Sequence, residues 1–193
     1  MTTWDRLQPK HVVKLYQEAA PALGVTFADK TSDGRMQAFA KLWGPEFLTN
    51  FVTTLGETIF IPYQPGVVAP SGRWSLKSQT KIIPHEFRHV QDYRKDKVGF
   101  MLDYTLFEAR RAIFEANAVA AALALEFKVT GTLPDGPSRP LVEILKYYRC
   151  GEDAIDHAAL VVDSLRVTIR QGGYRNDGVD FVYGFLQREG LLT

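Results

Sequence analysis

The chain has 193 residues, 46% of them hydrophobic and 23% charged, with a formal net charge of +1. These values fit one globular domain, argue against disorder, and leave no excess of positive charge to attract nucleic acid or an anionic membrane surface. Cys150 is the only cysteine, which excludes an internal disulfide and a cysteine-built zinc site. The N-terminus, Met1-Thr2-Thr3-Trp4-Asp5-Arg6, lacks the charged-then-apolar pattern of a secretory signal. The longest small, apolar stretch, from Ala116 to Leu125, is broken by Asn117 and is too short to span a bilayer. A cytoplasmic product with no membrane partner is expected.

From Pro9 to Leu23 the apolar residues Val12, Val13, Leu15, Tyr16, Ala19 and Leu23 follow helical spacing, and Pro9 suits a first turn. Val25-Thr26-Phe27 predicts a short strand. Asp33 to Trp43 predicts a second helix, stopped by Gly44-Pro45. Phe47 to Thr53 and Thr58 to Ile61 are β-rich and flank Leu55-Gly56-Glu57, which predicts a hairpin. Tyr63 to Ser78 carries glycine and proline clusters and reads as a long loop. Its Tyr63 and Trp74 either form a lid or pin the loop to the core.

Helical patterns follow at Thr80 to Lys95 and Asp103 to Lys128, the second with a stripe of Leu106, Ile113, Ala120, Leu123 and Phe127. Gly131, Pro134, Gly136 and Pro137 interrupt the chain before three further helices, at Arg139 to Arg149, Asp153 to Arg170 and Asp177 to Arg188. The order predicts a mostly helical α+β fold in which a small antiparallel sheet packs on the helices. It divides into a core over 1–130 and a helical C-terminal extension over 131–193.

Within the Thr80–Lys95 helix stands His85-Glu86-Phe87-Arg88-His89. Histidines four apart share one helix face, so both imidazoles reach one ion, while the glutamate beside the first can act as a base without being a ligand. Zinc needs a third protein ligand and an open position for water. His11 and His157 are remote in sequence, so a glutamate of the next helix is favoured. Glu115, in Arg111-Ala112-Ile113-Phe114-Glu115-Ala116-Asn117-Ala118, has small neighbours that let two helices approach; Glu108 is the alternative. Pro84 requires that the helix start just before the motif or bend at its first ligand. Asp92 either orients His89 or pairs with Lys95. Tyr104, Arg110, Arg111 and His157 are candidates to stabilise an oxyanion.

The run Ile82-Ile83-Pro84-His85-Glu86-Phe87-Arg88-His89-Val90-Gln91-Asp92, followed by Phe114-Glu115-Ala116-Asn117-Ala118, resembles the gluzincin metallopeptidases, and more loosely HExxH proteins of bacteriophages and prophages. Phe51 to Pro62 is similar to the strand pair that precedes the motif helix in such proteins. The likeness covers about residues 47 to 120, with Pro84 departing from the small residue usual before the first histidine. It implies Zn2+ held by His85, His89 and Glu115, Glu86 as general base, and an edge strand able to pair with an extended protein or peptide substrate. The expected activity is that of a zinc endopeptidase. The alternative is a structural or assembly protein, such as a virion component, that keeps the zinc site with little activity.

Overall fold

The computed structural model describes residues 2–70, 72–134 and 139–192. The chain break expected at Gly136 and Pro137 lies outside the described residues. After a capped 3-10 turn at Thr3–Arg6, helix α1 (Pro9–Leu23) buries Val12, Leu15, Tyr16, Ala19 and Leu23, the stripe its periodicity predicts. Strand β1 (Thr26–Asp29) follows, then α2 (Gly34–Trp43), whose N-cap Asp33 accepts from the backbone N–H groups of Arg35 and Met36.

Phe47 to Thr53 is not one strand. Pro45 adopts a helical conformation and starts a short helix, α3 (Glu46–Asn50), which leaves only Thr53–Leu55 for strand β2. A proline pre-set at φ −63° begins a helical turn readily, and this outweighed the β propensity of the residues after it. Gly56, at φ 66°, takes the first central position of the two-residue turn into β3 (Thr58–Ile61), where glycine tolerates a positive φ. The three strands run in the order β1-β3-β2. β2 pairs antiparallel with β3, but β1 pairs parallel with it, so the sheet is mixed rather than antiparallel. The α2–α3 crossover between β1 and β3 allows the parallel pairing.

Helix α4 (Leu76–Lys95) carries the motif and begins four residues before Thr80, on a Ser75 cap. It continues through Pro84, which has no N–H to give the Thr80 carbonyl. The expected Asp103–Lys128 helix is two helices. Asp96 caps α5 (Lys97–Leu106), Phe107 is extended, and α6 (Glu108–Thr130) starts afresh. Helices α7 (Arg139–Tyr147), α8 (Glu152–Arg170) and α9 (Asp177–Arg188) complete the fold. The mostly helical α+β class holds.

α6 lies at the centre, packed against α4, α5, α7, α8 and α9. Ala112, Ala116, Ala118, Ala120 and Ala121 are all at most 1% exposed, and their small side chains let the neighbouring helix axes come close. One large core gathers residues from α1, α4, α6, α7, α8 and α9 and the inner face of the sheet. A smaller one, Met36, Phe47 and Phe60, fills the other face of the sheet under α2 and α3. Among the described residues, no helix is long and apolar enough to cross a membrane.

Candidate metal centre

Ile83, Phe87 and Val90 are buried on one side of α4, which turns His85 and His89 toward α6 and the sheet edge. There Glu115 rises from α6. One ligand atom from each of His85, His89 and Glu115 lies within 4.8 Å of the other two. His85 Nε2 is 3.6 Å from Glu115 Oε2, and His89 Nε2 is 3.6 Å from Glu115 Oε1. Ligands on one tetrahedral zinc ion stand ~3.4 Å apart, so each histidine nitrogen is already within a few tenths of an ångström of that distance from a Glu115 oxygen, and the group as a whole closes on a cation with side-chain shifts of about 1 Å.

Two further observations fit a cation. Glu115 is 1% exposed, and its Oε2 has no hydrogen-bond donor although its Oε1 accepts from the Tyr104 hydroxyl. A buried carboxylate oxygen without a partner is costly, and a metal ion would satisfy it. Burial by itself would raise the Glu115 carboxyl, but His89, His85 and Tyr104 reverse this and hold it at about 2. Burial likewise opposes a charge on His85, yet Glu115 and Glu86 outweigh it and raise this imidazole above its ordinary value.

Glu86 is 3% exposed. Its Oε2 accepts a 2.7 Å hydrogen bond from the Thr54 hydroxyl of β2, and its Oε1 lies 3.8 Å from His85 Nε2. The carboxylate is therefore held from behind with one oxygen facing the three-residue group. Tyr104 stays protonated, because burial and the Glu115 charge push its phenol well above its usual value.

These groups line a cleft of about 160 Å³ whose other walls are chiefly apolar: Met36, Phe39, Trp43 and Phe47 from α2 and α3, Phe100 and Met101 from α5, and Ile144 and Tyr148 at α7. The edge strand β2 forms one wall through Thr53, Thr54 and Leu55.

Several expectations are decided here. Glu108 is not part of the group; its carboxylate accepts from the Gly151 N–H at 3.0 Å. Arg111 lines the cleft, but its guanidinium donates to the Tyr104, Thr105 and Tyr148 carbonyls and acts as a staple. Arg110 and His157 border a separate surface groove, leaving Tyr104 as the one oxyanion candidate in position. Asp92 bonds to Arg88 and Lys95 and does not orient His89, whose Nδ1 has no partner. Tyr63 and Trp74 pack with their rings tilted at 38° and 4.8 Å between centres, and Tyr63 bonds to the Tyr16 hydroxyl, so they pin the loop to the core.

Sequence reasoning missed Thr54, Tyr148 and the α2 wall. Thr54 sits in a recognisable β-rich run, but nothing in that run marks which threonine faces Glu86. Tyr148 lies 33 residues beyond Glu115, and no local pattern ties it to the cleft. Comparison of the chain with protein-family models, curated proteins and solved structures gave no match.

Proposed function

We propose that the protein is a zinc-dependent peptide hydrolase of gluzincin type, with His85, His89 and Glu115 as ligands and Glu86 as general base. The observation that carries this reading is the convergence of two imidazoles and one unpaired, buried carboxylate oxygen beside a second carboxylate, at the head of a cleft. Two nitrogen donors and one oxygen donor suit zinc, and a structural zinc site would be closed by a fourth protein ligand. Held by His85, His89 and Glu115, a zinc ion would supply the Lewis acidity that lowers the pKa of water and polarises a carbonyl.

The chain's own residues supply the rest. Glu86 Oε1, free of the Thr54 bond, takes the proton of the attacking water and hands it to the departing nitrogen. The Tyr104 hydroxyl, which donates to Glu115 Oε1 in the resting site, turns from that carboxylate to donate to the oxygen that gains charge. The edge of β2 that does not pair with β3 offers backbone groups to an extended substrate. With Arg111 engaged by carbonyls and aromatic walls on three sides, the cleft favours an apolar side chain next to the cleaved bond.

The test combines metal analysis with cleavage of an unstructured protein. The purified full-length chain should carry about one zinc. Glu86→Gln should keep that zinc and lose at least about a hundredfold in kcat. Zinc without cleavage by either protein would favour the assembly-protein reading, and a chain that takes up no zinc would end both.

A further inference from the structure

Lys30 is 0% exposed and is among the largest fully buried side chains in the molecule. An ammonium in a protein interior normally has a carboxylate beside it, because removing it from water is otherwise expensive. Lys30 has none among the described residues. It sits just after β1 on the face of the sheet that Met36, Phe47 and Phe60 fill, with its Nζ 3.6 Å from the centre of the Phe47 ring. The ammonium donates to the Phe51 carbonyl at 2.9 Å and to Thr53 Oγ1 at 2.6 Å. Phe51 follows the end of α3 and Thr53 is the first residue of β2, so Lys30 ties the entry of the edge strand to the far strand of the sheet.

The next residue is Thr54. Side chains alternate along a strand, so where Thr53 points to Lys30, Thr54 points through the opposite face and places its hydroxyl 2.7 Å from Glu86 Oε2. β2 has only three residues, paired on one side with β3. So short an edge strand has few bonds of its own to hold its register. A methionine or leucine at position 30 would fill the same space at less cost. What the lysine adds is the pair of bonds to the start of β2.

We propose that Lys30 and Thr54 are positioning residues for the general base: Lys30 fixes the start of β2, and β2 presents the Thr54 hydroxyl that holds the Glu86 carboxylate with its other oxygen toward the metal centre. The inference rests on the peptidase reading for its catalytic consequence, but its mechanical half, the hold of Lys30 on β2, stands apart from it.

The test uses the zinc-loaded full-length protein and three variants, Thr54→Val, Thr54→Ser and Lys30→Met. Thr54→Val keeps the shape and loses the donor. Its kcat should fall on the order of ten- to a hundredfold, with KM and zinc content unchanged. Thr54→Ser should recover most of that loss. Lys30→Met should lower kcat comparably and raise the amide hydrogen exchange of residues 53–55 at least about tenfold, while exchange in α4 and α6 stays slow. Unchanged exchange in β2 of Lys30→Met would overturn the inference whatever the activity. So would a Thr54→Val enzyme with wild-type kcat, or a loss that Thr54→Ser does not recover. A wild-type protein that cleaves nothing would instead count against the peptidase reading, and the exchange measurement would still decide whether Lys30 holds the strand.

Discussion

On the zinc reading proposed above, removing the ion should lower the unfolding temperature, because the three proposed ligands come from two helices that share the core. His85 and His89 stand on α4, and Glu115 follows 26 residues after His89 on α6, so an unfolded chain does not hold them together. An ion that binds only the folded state at a hundred times its Kd adds ~2.7 kcal/mol of stability. For a domain of this size each kcal/mol moves the midpoint by ~2–4 °C, so stripping the ion should cost about 5–10 °C. Protons compete for the same site. His85 is raised above its ordinary value in the metal-free protein, so below that raised value zinc must expel a proton before it binds. Glu115, held at about 2, stays ionised throughout this range and adds no pH dependence to it. The zinc-dependent increment should therefore be largest near about pH 8 and shrink toward about pH 6. Differential scanning calorimetry with and without chelator, on wild type and Glu115→Gln, measures it. An unfolding temperature indifferent to zinc, or a Glu115→Gln protein with the full increment, would refute the ligand assignment.

Three more outcomes follow from particular contacts. Tyr104→Phe removes the phenol beside Glu115 and should lower kcat about a hundredfold with zinc retained; an unchanged kcat, measured on the same peptide, would take Tyr104 out of the mechanism. Gly178→Ala would set a methyl group 3.0 Å from Asn176 Oδ1 and 3.1 Å from both Phe87 Cδ1 and the Pro84 Cα, where α9 meets the motif helix. It should lose ~1–3 kcal/mol in urea denaturation, and a neutral result would mean that α9 shifts freely on α4. Burial drives the Lys30 amine down to about 7 from 10.5, with Glu86 pulling it partly back. The unfavourable charge is therefore fully present below about pH 7 in the folded state and fades as pH rises toward 10.5. Lys30→Met should be the more stable protein at about pH 6, by ~1–3 kcal/mol once the two abandoned acceptors are counted, with the gap closing by about pH 10. A gap that widens with pH would reverse the sign and sink the reasoning.

What could be read in the chain depended on the range of the interaction that decides it. His85, Glu86 and His89 are legible because a helix puts residues four apart on one face by its own geometry, whatever surrounds it. The amphipathic stripe of α1 and the hairpin at Gly56 are local for the same reason. Errors fell where two local preferences competed. Pro45 against the β-rich residues after it decided α3, and the Phe107 break divided a helical pattern that sequence reads as continuous.

Glu115 over Glu108 was inferred from the small residues around it. What places it is packing: the alanines of α6 bring that turn against α4, while Glu108 lies almost two turns earlier and caps Gly151. The parallel pairing of β1, the Thr54 hydrogen bond to Glu86, the buried Lys30 and the aromatic wall from α2 and α7 had no signature along the chain. Each joins residues far apart in sequence through sheet order or helix docking, and such contacts exist only once the whole core has formed. The amino-acid sequence alone determined which side chains could hold a cation and act as a base. Tertiary structure decided how the favoured carboxylate, Glu115, is brought against the two histidines, what holds Glu86 and what the cleft can receive, because those depend on how separate elements pack.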